Sequence, residues 1–381
     1  MNRVLKILLG VTVVLVVAVI YVLNPRLPSP EGEQSAALYQ PGVLGVERKP
    51  IALVDRSRPT DPNGDFEGRP ERELEGYLWV PQQRDAGPFP LIVYSHGFMS
   101  SVREPGYLVD FLVPKGYVVV AVNYPLTHGR APGGANFNDV VNQPGDISFI
   151  IDALLARNAD EDDVLYGLLD PARIAAAGLS LGGLTTKLVA YHRDLRDPRI
   201  AAAVSLAGPS SFLEPAFFQT TDIPFMMIAG SDDAMVPYEA NAAPIPGKVD
   251  NSLLVNLVDG SHVGFADVSS VFMRWFRHPD RWFCPLLLRG LDREHAEAEP
   301  ALPPDPGIGI STNVAMPCAM ETWDRAMRPA TQQMLTRLAL YAFLEQAFAD
   351  ATDRRQAMAR YLTEVLATEN ADVSVTAAAG R

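Results

Sequence analysis

Between residues 74 and 258 the chain keeps returning to one texture: short runs of Val, Ile, Leu and Ala, each closed by turn residues. The runs are Leu74–Val80, Leu91–Tyr94, Tyr117–Val122, Ile174–Ala177, Ala201–Leu206, Phe225–Ala229 and Leu253–Val258. Their length and composition suit strands buried on both faces. Between them lie stretches of helical period, such as Ile147–Ala156, where Ile147, Ile150, Ile151, Leu154 and Leu155 share a face. Strand and helix in alternation predict a mostly parallel sheet flanked by helices on both sides.

The chain has 381 residues, room for one large domain with an insertion or for two ordinary domains. The pattern of the chain changes near residue 46, and Thr331–Phe348 reads as the last core helix, so residues 46–350 are taken as one domain. Residues 351–381 read as a tail that starts helical and ends frayed. Ahead of the domain, Arg3 and Lys6 precede an uncharged apolar run, Ile7–Leu23, roughly 26 Å long as a helix. No small-residue cleavage site follows at Tyr21-Val22-Leu23-Asn24-Pro25. Residues 1–23 therefore predict a transmembrane signal anchor, with a cleaved signal peptide as the alternative. Either way the flanking positive charge sends the rest outside the cytoplasm, into the cell envelope or the medium. Residues 24–45, with several Pro, Gly and Glu, read as a linker. A net charge of −13 excludes partners that need a basic surface, nucleic acid above all. The two cysteines, Cys284 and Cys318, fit no zinc spacing. They are either separate buried thiols or one disulfide, which requires an oxidising compartment.

Chemistry concentrates at Gly178-Leu179-Ser180-Leu181-Gly182-Gly183, a G-x-S-x-G motif between the strand Ile174–Ala177 and a helix over Leu184–Tyr191. A sharp strand-to-helix turn would push Ser180 out at the end of the sheet, and the helix N-terminus would aim its dipole at the same point. A serine hydroxyl needs a base, and in α/β-hydrolases the chain order is Ser, acid, His. Of the six histidines, His192 lies about three turns along the helix that Ser180 begins, too far to reach back. His278 and His295 have no strand before them. His262 follows Leu253–Val258 through Asp259-Gly260-Ser261 and arrives at the carboxyl edge of the sheet. The acid belongs on the loop after Phe225–Ala229, where Asp232 and Asp233 are both available by position. Tyr94-Ser95-His96-Gly97-Phe98 closes another strand at the same edge, so the backbone N–H groups of Phe98 and Leu181 are the candidate oxyanion hole. His96 then braces that loop, and His128 reads as a surface residue.

These pieces resemble the esterase branch of the dienelactone-hydrolase superfamily, near platelet-activating-factor acetylhydrolases. The likeness rests on Asp55-Arg56-Ser57-Arg58, Gly76–Pro81, Tyr94–Phe98, Gln143–Asp152, Gly178–Gly183 and Ser261–Asp267. It implies the α/β-hydrolase fold. Bacterial polyester hydrolases and cutinases share a similar core. The family's acid loop reads Gly-x-x-Asp-x-x-small-Pro, which Gly230, Asp233, Val236 and Pro237 match, and this selects Asp233. Dienelactone hydrolases proper use a cysteine where this chain has Ser180, which points to ordinary ester hydrolysis. The chain departs from compact members after Asp267, so residues 268–325 are expected to form an insertion or cap. The expected function is a serine esterase acting through Ser180, His262 and Asp233 on a small-molecule or lipid ester. No metal or organic cofactor is called for. A lipase or cutinase-like polyester hydrolase is the first alternative. A membrane-anchored binding protein without turnover is the second.

Overall fold

The Val-, Ile- and Ala-rich runs assemble into one nine-stranded sheet. The computed structural model describes residues 6, 9–17, 28–294 and 302–378. The strands are β1 (Val46–Asp55), β2 (Arg72–Pro81), β3 (Phe89–Ser95), β4 (Val118–Asn123), β5 (Leu169–Leu179), β6 (Ile200–Leu206), β7 (Phe225–Gly230), β8 (Ser252–Leu257) and β9 (Val373–Ala377). Their order in the sheet is β1-β2-β4-β3-β5-β6-β7-β8-β9. The run from β4 to β8 is parallel, while β1, β2 and β9 pair antiparallel with their neighbours. This is the α/β-hydrolase architecture that the sequence leads one to expect.

The helices that matter for the site are α1 (Gly106–Leu112), α2 (Gln143–Ala159), α3 (Leu181–Tyr191), α4 (Asp280–Glu294), α5 (Pro329–Phe348) and α6 (Thr352–Arg360). Side chains alternate across the strands and build a separate core on each face. From β3, Leu91 and Val93 join Ile147, Ile151, Leu184 and Leu188 of α2 and α3. Ile92 and Tyr94 join Leu108 and Leu112 of α1 and Leu338 and Leu344 of α5. β3 and β7 are buried along their whole length, as central parallel strands must be.

The two ends of the chain differ from their sequence reading. Within the expected linker, Glu33–Leu38 is a helix with Leu38 in the core. The backbone N–H groups of Gln34 and Ser35 donate to the Glu369 carboxylate. Residues 351–378 are not a frayed tail. After α6, Tyr361, Leu362, Leu366 and Val373 pack into the core, and β9 pairs with β8 from Leu253↔Ala377 to Leu257↔Val373. Enough apolar surface is buried there to hold the segment in place. Of the apolar run Ile7–Leu23, residues 9–17 are helical and exposed, and the rest lies outside the described residues. Among the described residues no helix is long and apolar enough to cross a membrane.

One buried ionic cluster ties the antiparallel strands to the helices. Arg72, at the start of β2, is fully buried and forks onto Asp146 of α2 and onto Asp139. Arg58 bridges the same Asp146 at 2.7 Å to Asp55, also at 2.7 Å, at the end of β1. Burial works against the charge on Arg72, but the Asp146 and Asp139 carboxylates outweigh it and raise its pKa. Removing one member of such a cluster strands the others without a counter-charge. Arg72→Ala is therefore expected to cost about 3–5 kcal/mol in chemical denaturation. A loss below about 1 kcal/mol, the scale of an exposed pair, would mean the cluster is solvated.

Candidate active site

β5 lies at the centre of the parallel sheet and ends in the turn that carries Ser180. Ser180 has φ 56° and ψ −117°, a backbone conformation that side chains rarely adopt. Its N–H donates to Leu206 O of β6 at 2.8 Å, and α3 begins at the next residue. The flanking glycines are there for space. A Cβ on Gly178 would lie 2.4 Å from Gly182 O, and one on Gly182 would lie 1.9 Å from Ser95 O. The turn can close on β3 only where both side chains are absent.

Neighbouring strands deliver the other residues to the same edge. After β7, Asp233 is buried, and its Oδ1 accepts the N–H of Met235 at 2.9 Å and of Val236 at 2.7 Å. That leaves Oδ2, which meets His262 Nδ1 at 2.7 Å. Asp232 turns the other way and lies 3.2 Å from His278 Nε2. The adjacent carboxylates thus serve different histidines, and His262 pairs with the one the family spacing selected. Burial pulls the His262 pKa down, but the Asp233 charge and hydrogen bond, with Asp280 and Glu104 behind them, outweigh it and raise the value.

The loop after β3 brings Phe98 and Gly97 to the edge. His96 is buried and braces this loop: Nδ1 donates to Gly97 O at 2.8 Å, and Nε2 accepts the Tyr124 N–H at 3.2 Å. Burial lowers its pKa to about 4, so it stays neutral. The N–H groups of Phe98 and Leu181 donate to no protein acceptor among the described residues. A Cβ on Gly97 would lie 3.4 Å from Ser180 Cβ and 3.2 Å from Glu104 Oε2, so this backbone touches both.

Several residues at this edge escaped the sequence reading. Glu104 accepts the Gly97 N–H with both oxygens, at 3.0 and 3.1 Å, and the Tyr94 hydroxyl at 3.0 Å. Lys187 of α3 is buried without a carboxylate and donates to Ser205 Oγ at 3.0 Å and Gly208 O at 3.1 Å. Gln332 of α5 clasps the Ser261 backbone: its Oε1 accepts the N–H and its Nε2 donates to the carbonyl. Asp280, at the start of α4, accepts the backbone N–H groups of Ala234, His262 and Val263. None of these carries a local motif. Glu104 acts on the loop 7 to 10 residues before it, and the other three act across 17 to 71 residues.

The segment expected as a cap crosses this edge. α4 starts at Asp280 beside His262 and reaches Gly290, where a Cβ would lie 3.1 Å from the Phe98 ring. Cys284 of α4 forms a disulfide with Cys318, and the Cys318 N–H donates to Ala234 O. On the outer side Phe272, Trp275 and Trp282 are exposed, the last at 66%.

Burial pushes the Glu104 carboxyl up from its ordinary 4.5 to about 7, against hydrogen bonds from Ser100, Gly97 and Tyr94 that pull it down. The folded protein therefore holds this proton more tightly than the unfolded chain does. The stability that Glu104 contributes is complete below pH 4.5 and is lost as pH rises to about 7. Glu104→Gln cannot ionise, so wild type is expected to lose denaturant stability relative to the variant across that window. A difference between the two that stays flat with pH would show that Glu104 is ionised throughout.

Comparison with known proteins bears on the family of the chain. The Bacillus subtilis (strain 168) protein described as "Putative esterase YitV" is 31% identical over 129 residues, 33% of this chain. That stretch is 47% of YitV, so the chain spans about half the length of this curated relative. A family model described as PET hydrolase-like matches residues 75–277, more than half of the chain, from within β2 to beyond His262. It stops just short of Asp280 and α4. The chain belongs to the PET hydrolase-like family.

Proposed function

We propose that this protein is a serine esterase that hydrolyses carboxylic esters through an acyl-enzyme. The observation that carries the reading is the buried Asp233–His262 pair, set at the sheet edge where the strained turn presents Ser180. His262 takes the Ser180 proton as Oγ attacks the ester carbonyl. The N–H groups of Phe98 and Leu181 receive the oxyanion, and the alcohol leaves with the proton from His262. A water molecule then gives a proton to His262 as its oxygen attacks the acyl carbon, and His262 returns that proton to Ser180 Oγ as the acid leaves. Asp233 keeps Nδ1 protonated, so that Nε2 is the base throughout. The disulfide supports an oxidising compartment as the place of action.

A polyester or other insoluble ester is a second substrate reading. The exposed Phe272, Trp275 and Trp282 beside α4 favour it, as does the family's own description.

A fluorophosphonate probe tests the first reading. It is expected to label Ser180, and folded protein that takes no label would favour a binding role instead. Asp233→Asn is expected to lose roughly 10⁴-fold in kcat against p-nitrophenyl esters while binding barely changes. Asp232→Asn should keep most activity, since that carboxylate faces His278. The acid limb of kcat/KM should lie above the ordinary imidazole value of 6.5, because the base must be neutral and its pKa is raised. Two active asparagine variants would move the acid to another loop.

A further inference from the structure

α4 belongs to the segment beyond the family match, yet its first residue sits against both loops of the Asp233–His262 pair. Asp280 is fully buried. Its Oδ2 accepts the Ala234 N–H at 3.1 Å and the His262 N–H at 2.9 Å, and its Oδ1 accepts the Val263 N–H at 2.8 Å. Ala234 directly follows Asp233. One oxygen therefore links the residue after the acid to the backbone of the histidine itself.

The same segment takes hold of Ala234 from its other side. The Cys318 N–H donates to Ala234 O at 2.6 Å, and Cys318 is joined covalently to Cys284, one turn along α4 from Asp280. Both hydrogen-bonding groups of Ala234 thus end on a single cross-linked unit. The His262 ring meets Asp233 directly, and the nearby charges of Asp280 and Glu104 add to its effect in raising the imidazole pKa.

We propose that Asp280 is a positioning residue for the hydrolysis. Held in place by the Cys284–Cys318 bond, it sets the separation of the acid loop and the histidine loop so that Asp233 Oδ2 meets the imidazole. This rests on the esterase reading above. Asp280 touches no reacting atom, and its effect passes through the two backbones. An error of about 1 Å in such a constellation can cost roughly a hundredfold in rate.

The test uses the full-length chain and Asp280→Asn, with p-nitrophenyl butyrate turnover, the pH profile and the low-field proton resonance of His262 Nδ1–H. The expected result is a fall in kcat of about 10- to 100-fold with KM little changed. The resonance should shift or broaden. The acid limb of kcat/KM should move to lower pH, because a negative charge that raises the imidazole pKa has been removed. A kcat close to wild type overturns the proposal. So does a fall in kcat with both the resonance and the acid limb unmoved, the mark of a merely structural loss. If Asp280→Asn does not fold, wild type with the disulfide reduced and near-UV circular dichroism retained takes its place. There a fall in kcat and a broadened resonance are expected, and no change in either overturns the proposal. Wild type that neither turns over esters nor labels with fluorophosphonate sinks the esterase reading instead, and the resonance comparison still judges Asp280.

Discussion

A carboxylate can fix an imidazole in one orientation only if it has no freedom to turn. Asp233 meets that condition because two backbone N–H groups of its own loop occupy Oδ1 and leave Oδ2 for His262. The rest of the edge is arranged around this bond. Gln332 holds Ser261, Asp280 holds the histidine backbone, and burial removes the water that would compete for both partners. Against so many buried polar groups the sheet provides a rigid floor, with cores on both faces and parallel strands whose carboxyl ends all point one way.

Strain gathers at that edge. The described non-glycine residues with positive φ are Met99, Ser180, Ala207, Asp259 and Cys318. Met99 follows β3, Ser180 follows β5, Ala207 follows β6, Asp259 follows β8, and Cys318 is bonded to the loop after β7. Each conformation costs on the order of 1–3 kcal/mol and persists only where its surroundings over-determine it. No other part of the described chain collects such residues.

What could be read from the sequence follows from how locally each feature is encoded. The central strands were legible because burial on both faces leaves an unbroken apolar run. Ser180 and His262 were legible because each ends such a run in a recognisable turn, and Asp233 was separable from Asp232 only through a family spacing. β1 was hidden because an edge strand tolerates Glu47, Arg48, Lys49 and Pro50, which break the alternation. β9 was hidden because only Val373 of its residues is buried, so its pattern looks like loop. Glu104 and Asp280 look like ordinary surface acids beside a helix start. Their roles depend on which backbone folds over them, and a linear spacing does not encode that.

The pairing of β9 with β8 sets an order of assembly. β8 leads into the His262 loop, but its outer edge is covered by β9, which follows the insertion, α5 and α6 in the chain. During synthesis that edge stands bare while everything between is made, and a bare parallel-sheet edge is an invitation to another chain. Early parts wait as well: Glu33–Leu38 has its anchor in Glu369, and Cys284 has its partner in Cys318. Closure of the sheet is therefore a late, long-range event in folding, and the histidine loop gains its final support only when it occurs.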